Sequence, residues 1–425
     1  MAARLGEHEA LRHIAGIAFK TGPPRQTGVE LEWLVRDRSD PAKAVPIERL
    51  EAALAPLGAR GVLPHGGRIT LEPGGQVELS SRAASSPVHC LRETAADLAL
   101  LRATLAEAGL QLVGFGLEPL RTPDRVLDLP RYRAMEAYFD RAGPWGRMMM
   151  RATASVQVNV DAGDESRDCT GYRFRWALLH RLGPVLVAAF ANSPLWRGRP
   201  TGWRSGRQAV WAHMDPGRTR PPVPNGDLRT AWAGYALDAP LLCLRRPVPA
   251  PWTAPAELSL RGWLRGAPVG QPPTVGDAEY HLTTLFPPVR PRGWLELRMI
   301  DALCEDDWTV PALLVPALLD DPVAARAAYR ATEPLVGDGE LPPWSVWMRA
   351  ARYGPADPQL GECARTCFEL ARAALERAGT PVDLQQSVAR FARRYTERGR
   401  CPADDLLTAP PGTGSARGLT EGATR

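Results

Sequence analysis

Three strand-like segments of this 425-residue chain alternate apolar residues with polar residues that include glutamate. The segment GVELEW contains Glu30 and Glu32, QVELS contains Glu78, and WLELRM contains Glu296. Side chains two residues apart lie on the same face of a β-strand, so each segment presents its polar residues on one face and its Val or Leu residues on the other. Carboxylates gathered on one face of a sheet repel one another and raise each other's pKa unless cations neutralise them.

A fourth segment, SVQVNVD, follows the same alternation and presents Gln157 and Asn159 on the face opposite its valines. One interpretation is ordinary, because an antiparallel sheet often has one solvated polar face. The lack of Lys in all four segments, and the recurrence of Glu with Gln and Asn, favour a second interpretation, a carboxylate site for several metal ions. Oxygen ligands without His or Cys are typical of hard cations, so we predict Mg²⁺, with Mn²⁺ as the alternative.

The stretch ITLEPGGQVELS, residues 69–80, predicts a β-hairpin whose turn is the Pro-Gly-Gly segment after Glu72. Pro fixes φ at the second position of a type II turn, and Gly accepts a positive φ at the third. A tight turn would pair residue 70 with residue 77 and would place Glu72 and Glu78 on opposite faces. We therefore expect Glu78 to be a metal ligand and rank Glu72 as a weaker candidate.

Arginines surround the last of the glutamate segments in FPPVRPRGWLELR, where Arg290 and Arg292 precede Glu296 and Arg298 follows it. A planar guanidinium binds phosphate or carboxylate through two parallel hydrogen bonds. The sequence has only two lysines, both within the first 43 residues and neither after a glycine-rich loop, which excludes a P-loop. Any handling of phosphate must therefore rely on arginine.

The composition is that of a globular protein, with 44% hydrophobic and 23% charged residues. The sequence has no uncharged apolar run of about 18 residues and no apolar N-terminal segment, so we expect no membrane span and no signal peptide and predict a cytoplasmic protein. The seven cysteines form no CxxC pair, which argues against a disulfide scaffold or a zinc ribbon. The net charge of +5 comes from dispersed arginines, so nucleic acid is not an expected partner.

The order of elements predicts an α+β protein built on a mainly antiparallel sheet with flanking helices. Strands are expected at 27–35, in the hairpin, and at 110–119, 152–161, 281–289 and 293–301, with helices at 87–110, 174–193 and from 307 to 398. Residues 197–230 are rich in Gly, Pro and Arg and are expected to form a long loop, functional or disordered. We predict one domain over residues 1–402, strand-rich over 25–305 and helical over 306–400, followed by a disordered tail over 403–425.

Long stretches of this sequence resemble the plant-type glutamate-cysteine ligases. The resemblance covers roughly residues 25–390 and runs in order through GVELEW, LEPGGQVELSS, TASVQVNVD, AAFANSPLWRGRPTGWRSGRQAVW, GYALDAPL and YHLTTLFPPVRPRGWLELRMIDAL. It is strongest to the actinobacterial branch that makes γ-glutamylcysteine for ergothioneine biosynthesis. The resemblance implies a glutamine-synthetase-like catalytic fold, in which a curved antiparallel sheet holds Mg²⁺ and ATP.

The resemblance also implies roles for individual residues. Metal binding is implied for Glu30, Glu32, Glu78 and Glu296, with Glu72 as the weaker candidate. Contacts with ATP phosphates are implied for Arg290 and Arg292, and Gln157 stands where more distant ligases of this superfamily have a metal-site histidine. We predict Gln157 and Asn159 as further cofactor-binding residues, Arg207, Arg298 and Thr153 as substrate-binding residues, and Arg292 and Arg298 as catalytic residues. The sequence departs from the plant enzymes at RMMMRATASVQ, where they have a Cys between two Thr, and this difference concerns the pocket for the thiol substrate.

The implied reaction joins the γ-carboxylate of L-glutamate to the amine of L-cysteine at the expense of ATP. Attack of the carboxylate on the terminal phosphorus gives γ-glutamyl phosphate, from which the cysteine amine displaces phosphate. This route needs no protein nucleophile, in agreement with the lack of a Ser-His-Asp or Cys-His arrangement. Two alternatives stay open: a ligase that joins glutamate to a different amine, and a catalytically silent protein that binds nucleotide or metal. Monomer and homodimer also stay open.

Overall fold

The computed structural model describes residues 5–22, 24, 26–58, 61–222, 226–247 and 249–408. The strands within these residues are β1 (Thr27–Asp37), β2 (Arg68–Leu71), β3 (Val77–Ser80), β4 (Leu110–Val113), β5 (Ser155–Asp161), β6 (Leu195–Trp196), β7 (Arg199–Pro200), β8 (Val289–Pro291) and β9 (Trp294–Asp301). Six of them form an antiparallel path in the order β2-β3-β1-β5-β9-β8, β4 adds to the C-terminal part of β1, and β6 pairs with β7.

Helices surround this sheet and make up the C-terminal part of the described chain. They are α1 (Glu7–Ala18), α2 (Ile47–Leu54), α3 (Pro87–Glu107), α4 (Pro130–Phe139), α5 (Trp145–Ala152), α6 (Tyr172–Ala189), α7 (Gly206–Ala212), α8 (Pro216–Thr219), α9 (Leu228–Asp238), α10 (Leu260–Leu264), α11 (Val275–Leu282), α12 (Thr309–Asp320), α13 (Pro322–Ala331), α14 (Trp344–Tyr353), α15 (Pro358–Arg377), α16 (Val382–Arg394) and α17 (Pro402–Thr408). None of the helices in the described part of the chain is long and apolar enough to cross a membrane.

The apolar face of the sheet carries the main core. Leu31 of β1, Val158 of β5 and Leu297 of β9 are fully buried, and α3, α12 and α6 pack against these three strands in turn. Burial of these alternate side chains is the main favourable contribution that the sheet makes to folding. It also fixes the orientation of each strand, because a shift of one residue would turn every apolar side chain away from the helices.

A second apolar cluster lies apart from the main core. It joins α4, α5 and α7 and includes Met135, Phe139, Met149, Met150 and Val210. Residues of this cluster and residues on the polar face of the sheet line the same cleft. The fold therefore places methionine and aromatic side chains in the same cleft as the glutamates.

Most predicted elements are confirmed. The strand at 27–35, the hairpin at 69–80, the helix at 87–110, the strand at 152–161 and the series of helices after residue 307 all occur, with ends that differ by a few residues. The predicted α+β class with a mainly antiparallel sheet is confirmed by the strand pairing. The limits of a single domain over residues 1–402 stay a prediction.

The prediction of a long loop over residues 197–230 is wrong for the described part of that segment. It contains β7, α7, α8 and the start of α9. Capping side chains start the short helices, since Ser205 accepts a hydrogen bond from the Gln208 N–H and Asp215 accepts one from the Gly217 N–H. These caps satisfy amide groups that a helix end leaves unpaired, so helices form even in a sequence rich in Gly and Pro.

Two predicted strands are shorter than expected. β4 ends at Val113, and the next residue, Gly114, passes so close to another loop that a Cβ there would lie 1.8 Å from the Leu303 carbonyl oxygen. Residues 281–289, predicted as a strand, contain the end of α11 and a loop before β8. A capping box between Thr274 and Asp277 starts α11 and extends the helix into this region.

The prediction of disorder from residue 403 is wrong for residues 403–408, which belong to α17. Ala403 is fully buried and donates its N–H to the Ala191 carbonyl at 2.9 Å. Asp404 forms a 2.7 Å ion pair with Arg204. A few contacts of this kind order a segment that contains too few apolar residues to be recognised from composition. The rest of the predicted tail, 409–425, lies outside the described residues.

Candidate active site

The pairing of the strands brings the predicted glutamates together on the polar face of the sheet. Glu32 of β1 lies directly opposite Glu78 of β3, and Glu30 lies opposite Gln157 of β5. On the other side of β5, Asn159 lies opposite Glu296 of β9. The predicted shared face is therefore confirmed across four adjacent strands.

The predicted position of Glu72 is wrong. Thr70 pairs with Glu78 and Leu71 with Val77, one residue away from the expected register. Glu72 therefore lies on the same face as Glu78 and lines the same cleft. The difference arises because the turn is larger than predicted. The Glu72 N–H donates to the Gln76 carbonyl, and the Glu72 carbonyl accepts a hydrogen bond from the Gly75 N–H. Three residues therefore lie between Glu72 and Gln76, the last pair of the hairpin.

The Pro-Gly-Gly segment is required by backbone geometry. Gly75 has a φ of +84°, a conformation that residues with a side chain rarely adopt. Gly74 lies against α5, where a Cβ would approach the Arg151 carbonyl oxygen to 2.1 Å. The turn can therefore reach α5 only because neither residue has a side chain.

Polar side chains hold the glutamates in the cleft. Gln157 Nε2 donates to Glu32 Oε1 at 3.0 Å, and Asn159 Nδ2 donates to Glu30 Oε1 at 3.1 Å. Glu78 Oε1 accepts hydrogen bonds from the hydroxyls of Thr70 at 2.9 Å and Ser80 at 3.1 Å. As the side chains stand, the described residues contain no group of three or more His, Cys, Asp or Glu placed to hold a metal ion. Metal binding would require the glutamates to turn away from some of these partners.

Burial shifts the pKa of the glutamates that line the cleft. Burial raises the pKa of Glu30 to about 7, and the charges of Glu296 and Glu78 add to the rise. Burial also raises the pKa of Glu32, Glu72 and Glu78, and a neighbouring glutamate adds to each of these rises. These four carboxyl groups are costly to ionise unless a positive charge lies nearby. Together they supply the oxygen ligands that suit a hard divalent cation.

Glu296 differs from the other glutamates because arginines surround it. Arg290 donates to both of its carboxylate oxygens, at 2.7 and 2.8 Å, and Arg298 donates to Oε1 at 2.7 Å. Burial alone would raise the pKa of Glu296, but the charges of Arg290 and Arg298 outweigh burial and lower its pKa to about 2. Arg292 is more distant, at 3.7 Å, and its side chain is 41% exposed at the edge of this cluster. A metal ion could reach Glu296 only by displacing an arginine contact.

Arg207 is a buried guanidinium with free hydrogen-bonding capacity. Its side chain is 3% exposed, Nη2 donates to the Arg298 carbonyl at 2.8 Å, and Nη1 lies 3.9 Å from Asp301. Nε and Nη1 have no hydrogen-bond partner. Burial lowers the pKa of Arg207, and Asp301 opposes this shift. A buried donor without a partner is costly, so these nitrogens are suited to an anionic group of a ligand.

All these groups meet in one cleft with a cavity volume of about 210 Å³. Of the predicted residues, it is lined by Glu30, Glu32, Glu72, Glu78, Thr153, Gln157, Arg207, Arg290 and Arg298. Asn159 and Glu296 lie beside the lining, where they contact Glu30 and Arg290, and Arg292 lies farther out, 3.7 Å from Glu296. Gln76 and Thr283 also line the cleft, as does a set of residues that the sequence did not predict: Pro73, Arg131, Tyr132, Met135, Met149, Met150, Trp211 and Phe286. The run of three methionines at 148–150 was the available signal, because it stands directly before a strand of the site.

The comparison with known families agrees with this geometry. The profile of glutamate-cysteine ligase family 2 matches residues 26–424, nearly the whole chain. The chain belongs to glutamate-cysteine ligase family 2. The matched range contains every residue of the cleft named above.

Members of this family from bacteria and plants are similar to the chain over most of its length. Glutamate–cysteine ligase EgtA of Mycolicibacterium smegmatis is 41% identical over 419 residues, 97% of this chain and 94% of that protein. EgtA of Mycobacterium tuberculosis is 38% identical over 97% of this chain and 92% of its own. The chloroplastic glutamate–cysteine ligase of Medicago truncatula is 31% identical over 80% of this chain and 67% of its own.

Solved structures share the fold at low sequence identity. A glutamate–cysteine ligase of Francisella tularensis in complex with AMP has a TM-score of 0.54 at 12% identity and covers 92% of this chain and 85% of its own. A bifunctional glutathione synthetase of Pasteurella multocida has a TM-score of 0.53 at 14% identity over 98% of this chain and 53% of its own. These likenesses confirm the predicted glutamine-synthetase-like fold of this family member.

Proposed function

We propose that this protein joins the γ-carboxylate of L-glutamate to the amine of L-cysteine, with conversion of ATP to ADP and phosphate, and that the γ-glutamylcysteine formed serves ergothioneine biosynthesis. The observation that carries the proposal is a cleft that is lined by a buried arginine with free donors and by four glutamates. The similarity to proteins named glutamate–cysteine ligase over 97% of the chain supports the choice of substrates. We also propose that the protein acts in the cytoplasm.

Glu30, Glu32, Glu72 and Glu78 are the residues that would hold Mg²⁺, or Mn²⁺ in its place, and Glu296 would join them by exchanging an arginine contact. When bound there, such a cation supplies positive charge that neutralises the phosphate oxygens of ATP. A cation bound there would favour the ionised form of each carboxylate. The amides of Gln157 and Asn159 keep two of these carboxylates aimed into the cleft.

The arginines would neutralise and position the anionic groups of the substrates. Arg290 and Arg292, beside β9, would contact ATP phosphates, and Arg298 would contact the phosphoryl group during its transfer to the γ-carboxylate. Arg207 has two nitrogens free for the α-carboxylate of an amino acid. Fixed donors of this kind stabilise charge in the transition state without reorganisation, which is where most of the rate enhancement arises.

The apolar wall would take the side chain of the amine acceptor. Met135, Met149, Met150 and Trp211 line the cleft and carry no charge that could neutralise phosphate. A thiol is small and polarisable and is compatible with thioether and aromatic neighbours, whereas a hydroxyl would exchange its hydrogen bonds with water for weaker contacts. We therefore expect cysteine to be preferred to serine. Thr153, at the end of α5, lines the same region.

The decisive experiment measures ADP release by the purified protein with ATP, Mg²⁺ and L-glutamate, in the presence of L-cysteine, serine, alanine or no acceptor. We expect cysteine-dependent ADP release together with γ-glutamylcysteine detected by mass spectrometry. Glu78→Gln should lower the rate by at least about a hundredfold, because it removes a carboxylate of the cation site. Glu48→Gln, at an exposed position of α2, is the matched control and should leave the rate unchanged.

The other outcomes separate the alternatives. ADP release with another amine but not with cysteine would keep the ligase chemistry and replace the acceptor. Binding of ATP without turnover with any amine would favour a silent nucleotide-binding protein. A Glu78→Gln protein as active as wild type would remove Glu78 from the proposed site.

A further inference from the structure

Gln76 connects two elements that are far apart in the sequence. Its side chain is buried, with 3% of the residue exposed. Gln76 Oε1 accepts a hydrogen bond from the Gly74 N–H at 2.9 Å, and Nε2 donates to the carbonyls of Thr153 at 2.9 Å and Met150 at 3.4 Å. The first contact lies in the turn between β2 and β3, and the other two reach the junction of α5 and β5. One amide group therefore joins the hairpin to the end of α5.

The backbone of the turn packs closely against the same junction. Gly74 approaches α5 so closely that a Cβ would lie 2.1 Å from the Arg151 carbonyl oxygen. On the other side of the turn, the Pro73 carbonyl accepts the Val126 N–H at 2.8 Å. The side chain of Gln76 supplies the directional contacts between turn and junction, because hydrogen bonds depend on both distance and angle.

The two connected elements both contribute side chains to the lining of the cleft. The hairpin carries Glu72 and Glu78, and α5 carries Met149 and Met150, all of which line the cavity. A change in the position of the turn relative to α5 would therefore change the separation between the carboxylates and the apolar wall. Misplacement of a reacting group by about 1 Å can lower a rate on the order of a hundredfold.

We propose that Gln76 is a positioning residue that sets the separation between the carboxylate side and the methionine side of the cleft. This inference rests on the proposed function for its assignment of the methionine side to the amine acceptor. Gln76 acts through Glu72, Glu78 and the end of α5 and takes no part in bond making. Its loss would affect cation binding and acceptor binding together, although neither ligand needs to touch it.

The test compares Gln76→Met with wild type. Met has a similar length and volume but forms none of the three hydrogen bonds. Gln111→Met, on β4 outside the cleft, is the matched control. Three quantities are measured: the dissociation constant for Mn²⁺ by electron paramagnetic resonance, the deuterium exchange of the peptide 72–80 in metal-free protein, and KM and kcat for cysteine.

In the Gln76→Met protein we expect the Mn²⁺ dissociation constant to rise by about tenfold, the peptide to exchange faster, and KM for cysteine to rise by more than kcat falls. The control should match wild type in all three. A folded Gln76→Met protein with unchanged Mn²⁺ affinity and unchanged cysteine KM would overturn the proposal, even if that protein were less stable than wild type. Should Gln76→Met fail to fold, Gln76→Asn, whose shorter side chain cannot span both sets of partners, is judged by the same criteria.

Failure of the proposed function would be recognised separately. A wild-type protein that makes no γ-glutamylcysteine would contradict the assignment of substrates. The Mn²⁺ affinity and the exchange of the hairpin peptide would still decide whether Gln76 positions the carboxylates. Altered KM for cysteine with unaltered Mn²⁺ affinity would also contradict the inference, because Gln76 would then act on α5 alone.

Discussion

Glutamates on one face of this sheet have opposite electrostatic surroundings. Burial and neighbouring carboxylates raise the pKa of Glu30 to about 7. Arginines hold the pKa of Glu296 at about 2 although that residue is the more deeply buried of the two. Side chains of one type thus have a raised or a lowered pKa on the same sheet face, according to whether carboxylates or guanidinium groups surround them.

The raised pKa of Glu30 predicts how stability depends on pH in metal-free protein. The folded protein keeps a proton that the unfolded chain releases above about pH 4.5, so the contribution of Glu30 is complete below that pH and is lost as pH rises through about 7. The loss amounts to at most about 3 kcal/mol. We expect Glu30→Gln to be more stable than wild type at pH 8 and similar to it at pH 5, measured by urea unfolding with chelator present. An equal pH dependence in wild type and Glu30→Gln would contradict this prediction, and the exposed Glu48→Gln is the control.

The hairpin of β2 and β3 differs from the sequence-based prediction in its register. Its strands were predicted correctly, but the register was wrong by one residue, and the shift brings Glu72 into the site. Turn type is a local property, whereas the register here also depends on contacts of the turn with α5 and with residue 126. Sequence near the turn contains no information on those contacts.

The tight approach of the turn to α5 predicts a strong effect of Gly74→Ala. The new methyl group would lie 2.1 Å from the Arg151 carbonyl oxygen, so the turn must move. We expect a loss of at least about 2 kcal/mol in the free energy of unfolding, together with weaker ligation. Gly234→Ala in α9 is the matched control, since nothing lies within 4 Å of its added Cβ. This substitution should leave the free energy of unfolding unchanged or raise it by about 0.5–1 kcal/mol. Equal effects of the two substitutions would contradict the described packing of the turn.

At the scale of the whole molecule, the C-terminal helices support the loop that presents Arg207. Asp404 of α17 pairs with Arg204 at 2.7 Å, and the N–H groups of Arg204 and Ser205 donate to the Ala351 carbonyl in α14. Ser205 in turn donates to Asp301 at 2.9 Å. The position of Arg207 at the start of α7 therefore depends on elements from the last quarter of the chain.

This arrangement predicts different effects of two truncations. A chain that ends at Arg400 loses α17, and with it the burial of Ala403 and the ion pair of Asp404. Its thermal midpoint should be lower by at least about 4 °C, and its KM for glutamate should be higher. A chain that ends at Thr408 keeps these contacts and should match the full-length protein, as the predicted disorder of residues 409–425 requires. Thermal unfolding and steady-state kinetics on both chains test the prediction. A short chain with normal glutamate KM would show that α17 does not support Arg207.

The sequence by itself determined which faces of the strands are polar, because a period of two follows directly from the alternation of side chains. That alternation predicted the shared site of Glu30, Glu32 and Glu78, the order of elements predicted the α+β class, and the longer motifs indicated the family. Only the tertiary structure decided that Glu72 joins the site, that Glu296 is neutralised by arginines, and that methionines line the same cleft. These outcomes depend on register, burial and contacts between segments far apart in the chain, which local pattern and composition do not contain.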